Sequence, residues 1–141
     1  MLRILSLDPV EGIMTHNPVI IPKDKNVEEA AGIMANRKIR CVLIGEKGQI
    51  IGILTETDII RKVVAKELEP SRVKVGEVMS SPPLSVSSKT PIEKVYQTMS
   101  DKHIRHLMIT DQGKEVGIVS AKDLVCLTAE EMEKYWYNER F

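Results

Sequence analysis

The chain contains an internal repeat, which constrains its fold more than any other feature of the sequence. Residues of the first half return 65 positions later without a gap, as Met14 returns as Met79. The recurring residues are Met14, Pro18, Glu28, Met34, Ile39, Arg40, Ile44, Gly48, Gly52, Ile53 and Asp58, which return as Met79, Pro83, Glu93, Met99, Ile104, Arg105, Ile109, Gly113, Gly117, Ile118 and Asp123. One unit of about sixty residues was therefore duplicated, and such units bury their apolar faces by stacking. We expect the copies to pack as a pseudo-two-fold pair with function where they meet.

Charge and cysteine content restrict the class of partner and the location. The 141 residues carry 20 Lys and Arg against 20 Asp and Glu, so a general attraction to nucleic acid or anionic membranes is absent. Cys41 and Cys126 have no metal-ligand spacing, and no apolar stretch is long enough to span a bilayer. The N-terminal apolar run is too short for a signal peptide, so we expect a cytoplasmic protein.

Each copy has the pattern strand, helix, strand, strand, helix. Apolar residues at i, i+3, i+4 and i+7 predict one buried helical face per copy. These residues are Val27, Ala30, Ala31 and Met34 in the first copy and Ile92, Val95, Tyr96 and Met99 in the second. Apolar runs around Gly45-Glu46-Lys47-Gly48 and Asp111-Gln112-Gly113 predict a hairpin in each copy. The predicted fold class is α+β, with two tandem β-α-β-β-α motifs.

The repeat and its interruptions set the expected domain boundaries. The first motif with its N-terminal segment covers residues 1–69, and the linker with the second motif covers 70–127. Glu69-Pro70-Ser71 is expected to interrupt the first exit helix and form the linker. Residues 128–141 are expected to form a helical tail with the aromatic cluster Tyr135-Trp136-Tyr137 near its end.

The chemistry is concentrated where the last strand of each copy meets the last helix. Residues 52–59 and 117–124 share the order Gly, two apolar residues, Thr or Ser, two variable residues, Asp and an apolar residue. A hydroxyl and a carboxylate three residues apart lie on one face of a helix's first turn, beside free backbone amides. The carboxylate can accept from ribose hydroxyls, and the hydroxyl and amides can donate to phosphate. The alternative is an N-cap and a first-turn acid that serve stability alone.

Taken in order, these motifs resemble a tandem cystathionine-beta-synthase (CBS) domain pair, also called a Bateman module. The resemblance extends from about Val10 to Leu127. Its motifs are Ile13-Met14-Thr15 before Pro18, Val78-Met79-Ser80 before Pro83, Ile39-Arg40-Cys41-Val42, Ile104-Arg105-His106-Leu107 and the two Gly-to-Asp junctions. Leu43 and Met108 replace the proline that the family usually carries in the middle strand.

The resemblance implies a regulatory module that binds an adenosyl ligand such as AMP, ADP or ATP in clefts between the copies and modulates a partner protein. One cleft would use Thr55, Asp58, Leu84, Ser85, Ile104, Arg105, His106 and Lys122. The other would use Ser120, Asp123, Val19, Ile20, Ile39, Arg40 and Thr57. The first cleft would hold more basic side chains than the second, so we expect two sites of unequal affinity.

Several functions remain open at this point. The sequence shows no nucleophile with a base, no metal-ligand set and no Gly-x-x-x-x-Gly-Lys loop, so we expect neither an enzyme nor a catalytic cofactor. The alternatives are an S-adenosylmethionine or NAD sensor, a purely structural dimerisation module and a nucleic-acid-binding module, of which charge balance and few aromatics disfavour the last. We expect a homodimer through the exit helices, whose apolar residues are Ile59, Ile60, Val63, Val64, Leu124, Val125 and Leu127.

Overall fold

A computed structural model describes residues 6–125, which fall into two compact units. The first unit is Asn17–Leu84, and the second combines the described residues 6–16 with residues 85–125. Each unit contains one small sheet and its own helices, so the predicted α+β class is confirmed. The predicted helical tail at 128–141 lies outside the described residues.

The helices and strands repeat at the offset seen in the sequence. In chain order they are β1 (Thr15–His16), β2 (Ile20–Pro22), α1 (Val27–Arg37), β3 (Cys41–Glu46), β4 (Gln49–Thr55), α2 (Glu56–Ile59), α3 (Val75–Val78), β5 (Ser85–Ser87), α4 (Ile92–Lys102), β6 (His106–Asp111), β7 (Lys114–Ser120) and α5 (Ala121–Val125). A π-helical turn, Ile60–Val64, continues α2, and 3-10 turns cover Val10–Gly12 and Pro70–Arg72. From β2 and β5 onward, the two copies show the predicted order of strand, helix, strand, strand, helix.

Both sheets have the same pairing. In the first unit β2 runs parallel to β3, and β3 runs antiparallel to β4. In the second unit β5, β6 and β7 pair in the same way, and β1 adds an antiparallel strand beside β7. Each hairpin closes through two residues with positive φ, Lys47 and Gly48 or Gln112 and Gly113, as a type I′ turn requires. The predicted hairpins are confirmed.

The helical periodicity places all but one predicted face residue correctly. Three residues of α1 and three of α4 are buried, namely Val27, Ala30, Met34, Ile92, Val95 and Met99. Ala31 is half-buried, and its equivalent Tyr96 is 44% exposed. The prediction for Tyr96 was therefore wrong, because this position lies at the margin of a face whose central stripe alone is covered.

The compact units do not coincide with the covalent repeats. We call residues 10–16 and 75–81, the stretch ahead of each repeat, the leading segments. Val10 of the first leading segment is fully buried in the core that the second repeat forms. Val75 and Val78 of the second leading segment are buried in the core that the first repeat forms. The sequence boundaries at 1–69 and 70–127 follow the duplication, whereas packing divides the chain after His16 and after Leu84.

One of the two recurring pairs of glycines, Gly52 and Gly117, lies where the leading segments pass over the sheets. A Cβ atom on Gly117 would lie 2.7 Å from the carbonyl oxygen of Thr15 and 2.8 Å from Sδ of Met14. A Cβ atom on Gly52 would lie 2.9 Å from the carbonyl oxygen of Ser80. Real Cβ atoms do not approach backbone oxygens this closely, so only glycine allows each leading segment to pair with its sheet.

The first exit helix is shorter than predicted. It continues through the π-helical turn only to Val64, and Glu67 then has a positive φ of 58°. The prediction that Glu69-Pro70-Ser71 interrupts a helix was therefore wrong, because this segment follows the end of the helix.

Part of the predicted dimer surface belongs to the cores instead. Val63 is fully buried, Leu124 is buried, and Ile59 packs against the first core. Only Ile60 and Val64 are exposed among the described side chains of that set, at 59% and 60%. Leu127 and the side chain of Val125 lie outside the described part. The exit-helix surface is thus narrower than the sequence predicts.

We expect Gly117→Ala and Gly52→Ala to destabilise the protein by about 1–3 kcal/mol each, the range for overpacking a filled site. Gly32→Ala in α1 is the matched control, because a Cβ atom there meets nothing within 4 Å. The control should be neutral or stabilising by up to about 1 kcal/mol. Urea unfolding measures all three changes, and equal stability of the three variants would contradict the role given to the two glycines.

Glu115 of β7 should make stability fall as the pH rises. Its Oε1 atom is buried and has no hydrogen-bond partner among the described residues. Burial raises the pKa of the Glu115 carboxyl above its ordinary value, so the folded state favours the protonated form. The resulting stability is complete below the unfolded pKa and is lost as the pH rises through the folded pKa.

We therefore expect Glu115→Gln to raise the melting temperature at neutral pH and to leave it nearly unchanged in acid. Glu28→Gln, at an exposed position of α1, is the control and should change it little at either pH. A Glu115→Gln effect that is equal at both pH values would contradict this origin.

Candidate functional site

The first strand-to-helix junction brings Thr55 and Asp58 into direct contact. The Oδ2 atom of Asp58 accepts from the backbone N–H of Thr55 at 3.0 Å and from its Oγ1 at 3.1 Å. The N–H of Asp58 donates to the Thr55 hydroxyl oxygen at 3.2 Å. This reciprocal arrangement is a capping box, which satisfies amides that the first turn would leave unpaired.

The second junction repeats the same contacts with Ser120 and Asp123. The Oδ2 atom of Asp123 accepts from the Ser120 N–H at 2.8 Å and from its Oγ at 3.1 Å, and the Asp123 N–H donates back at 3.3 Å. The hydroxyl and the carboxylate therefore lie together in both copies, as expected. The same contacts also fulfil the stabilising role that the sequence left as the alternative.

Lys62 adds a contact at the first junction that the sequence reasoning missed. Its Nζ atom lies 3.1 Å from Oδ1 of Asp58 and donates to the carbonyl oxygen of Val78 at 2.9 Å. The Asp58 side chain is only 12% exposed, so its charge has little water around it. The Asp and Lys four residues apart on one helix were the available signal. The second repeat has Leu127 at the corresponding position.

The two equivalent arginines have different surroundings. Nε of Arg40 lies 3.9 Å from Oε1 of Glu56, and both side chains are exposed. The second repeat has Ala121 where the first has Glu56, and within residues 6–125 Arg105 forms no ion pair. The carbonyl oxygens of both arginines accept from the first helical amide, at 3.0 Å in the first copy and 2.8 Å in the second. Of these two arginines, Arg105 is therefore the one that pairs with no carboxylate among residues 6–125.

The remaining predicted site residues divide between the two units. Val19, Ile20, Ile39, Thr57 and Leu84 lie in the first unit, and Ser85, Ile104, His106 and Lys122 lie in the second. Ile39 and Ile104 pack partly against the cores. Exposed side chains are those of Ile20, Thr57, Leu84, Ser85 and Lys122. His106 is half-buried and lies opposite Ser120 in the ladder between β6 and β7.

Residues 6–125 contain no group of three or more His, Cys, Asp or Glu side chains arranged to hold a metal ion. No helix among them is long and apolar enough to cross a membrane.

A family model for the CBS domain matches the chain twice, at residues 10–65 and 75–129. An uncharacterised protein of Methanocaldococcus jannaschii is 28% identical over 121 residues, which cover 84% of this chain and 65% of that protein. The chain thus spans less than two thirds of this relative's length.

Two solved structures are similar over most of the chain. An uncharacterised conserved protein from Pyrococcus horikoshii is 27% identical with a TM-score of 0.80, covering 84% of this chain and 90% of that one. A hexameric CBS-CP12 protein from bloom-forming cyanobacteria is 27% identical with a TM-score of 0.77, covering 94% of this chain and 84% of that one. Both the domain matches and these folds agree with the duplicated architecture.

Proposed function

The chain belongs to the CBS domain family, and from that premise we propose that it is a regulatory module that binds an adenine nucleotide through its two strand-to-helix junctions. Proteins of this family are generally regulatory rather than catalytic. In this proposal AMP, ADP or ATP is a signal, and its binding modulates a partner protein.

The observation that supports this proposal is the duplicated hydroxyl–carboxylate pair. At both junctions one carboxylate oxygen accepts two donors from its own capping residue, which fixes the orientation of the acid. A carboxylate offers about four acceptor positions, so a cap of this kind does not exhaust it. Ribose hydroxyls are donors that such a fixed acceptor can bind without reorienting its own side chain.

The cations around the junctions support unequal binding of phosphate. Arg105 is free of any carboxylate in the described part of the chain, and Lys122 is exposed. Arg40 instead lies near Glu56, whose negative charge weakens the attraction of Arg40 for a phosphate. Because charge-assisted contacts are the strong ones, a phosphate should be held more firmly by Arg105 and Lys122 than by Arg40.

We expect Asp58→Ala and Asp123→Ala each to remove one of two binding events in calorimetric titration with AMP. The loss per site should be about 1.5–3 kcal/mol, the range for hydrogen bonds to a charged group. Asp24→Ala, at an exposed acid of the first unit, is the matched control and should bind as the parent does.

The ligand panel should include ADP, ATP, S-adenosylmethionine, NAD and RNA, so that each alternative has its own measurement. Circular dichroism should verify that the Asp variants fold, because both acids also cap a helix. Asp58→Asn, which keeps an oxygen for the cap, serves if Asp58→Ala is unstable. Unchanged AMP affinity in both folded Asp variants would contradict the ribose assignment.

We also propose a homodimer that buries the exposed part of the first exit helix. Ile60 and Val64 are one turn apart, and both are mostly exposed. Exposed aliphatic pairs of this kind favour burial against a second apolar surface, worth roughly 25 cal/mol per square ångström removed from water. The hexameric assembly of the similar cyanobacterial protein supports self-association as a property of the fold.

The dimer proposal predicts that Ile60→Glu combined with Val64→Glu gives a folded monomer in light scattering, whereas the parent is a dimer at tens of micromolar. Tyr96→Glu is the control, because it places the same charge at an exposed apolar residue of α4. A monomeric parent, or an unchanged mass for the double variant, would contradict this interface.

A further inference from the structure

Lys62 connects the acid of the first junction to the second leading segment. Its ammonium group lies 3.1 Å from Oδ1 of Asp58 and donates to the Val78 carbonyl oxygen at 2.9 Å. We propose that Lys62 is a positioning residue that competes with the ligand's ribose for Asp58 and transmits occupancy of this junction to residues 75–81. The inference rests on the proposed nucleotide function and assigns it a coupling element.

Competition follows from the number of acceptor positions on the carboxylate. Oδ2 of Asp58 already accepts from the N–H and the hydroxyl of Thr55. Oδ1 accepts from Lys62, which leaves about one of four positions. A ribose presents two neighbouring hydroxyl donors, so binding both requires Lys62 to withdraw from Oδ1.

Transmission follows from the second bond of the same ammonium group. Val78 is the last residue of α3, and the following Met79 and Ser80 lie against Gly52. Ser80 exchanges two backbone hydrogen bonds with Ile53, at 3.0 and 2.9 Å. When Lys62 withdraws from Asp58, the Val78 carbonyl loses its connection to the junction, and the paired residues after it become easier to open.

Only the first repeat has a lysine at the position of Lys62. Leu127 replaces Lys62 in the second repeat, and leucine offers no group that can pair with Asp123. The sequence therefore gives the first junction a lysine competitor at a position where the second repeat has a leucine. This difference is independent of the cations proposed to bind phosphate.

The decisive probe is adenosine, because it carries the ribose without a phosphate. Lys62→Met in the full chain should bind adenosine about two- to fivefold more tightly, since a partly exposed ion pair no longer has to be broken. Added salt should tighten adenosine binding to the parent by screening that ion pair, and should not affect Lys62→Met. Lys66→Met, an exposed lysine after the π-helical turn, is the matched control and should behave as the parent does.

Hydrogen exchange gives a second measurement, and its result in the parent protein does not require the variant. Adenosine should speed exchange of the Met79 and Ser80 amides in the parent and leave it unchanged in Lys62→Met. If Lys62→Met fails to fold, the parent protein alone tests the coupling. Unaltered exchange of the Met79 and Ser80 amides when adenosine binds to the parent would overturn it.

The outcomes separate this inference from the function on which it rests. If neither AMP nor adenosine binds the parent, the nucleotide function itself is wrong. If AMP binds through Asp58 but Lys62→Met has unchanged or weaker affinity for adenosine, the nucleotide function stands and the competition is refuted.

Discussion

The close approach of each leading segment to a glycine holds the rest of the structure in place. A β-α-β-β unit of about sixty residues buries only about 60% of the surface that its unfolded chain exposes and would be marginally stable. Here Val10 supplements the second core, and Val75 and Val78 supplement the first. Gly117 and Gly52 allow this by leaving room for a backbone to cross the sheet. Each repeat therefore depends on a segment that the chain places before the other repeat.

This arrangement also positions the junctions. Ser80 pairs with Ile53 two residues before the capping Thr55, and Thr15 pairs with Ile118 two residues before the capping Ser120. The last strand of each copy is thus hydrogen-bonded on both sides two residues before the residue that caps its helix. A carboxylate fixed at such a point loses little conformational entropy on binding, which favours the use of these acids as ligand groups.

The sequence predicts those features of the fold that depend on residues close together along the chain. Helical periodicity identified the buried residues of α1 and α4, and Gly48 and Gly113 identified the hairpins. The exchange of leading segments could not be predicted in this way, because the sequence shows that Val10 is apolar but not which of the two cores it joins. Tyr96 and Val63 were misplaced for a related reason, since the width of a covered helical face depends on what packs across it.

The acids at the junctions, Asp58 and Asp123, have two roles that partly conflict. Asp58 stabilises its helix through Thr55 and, in the proposed function, binds a ribose through its other oxygen. A half-buried carboxylate is costly to keep ionised, and the ion pair with Lys62 offsets this cost at Asp58. This ion pair has a functional consequence. A ligand that displaces the Lys62 ammonium group from Asp58 also breaks the connection between Asp58 and the Val78 carbonyl oxygen. In the proposed coupling, the ion pair that stabilises Asp58 thus also transmits ligand binding at the first junction to the second leading segment.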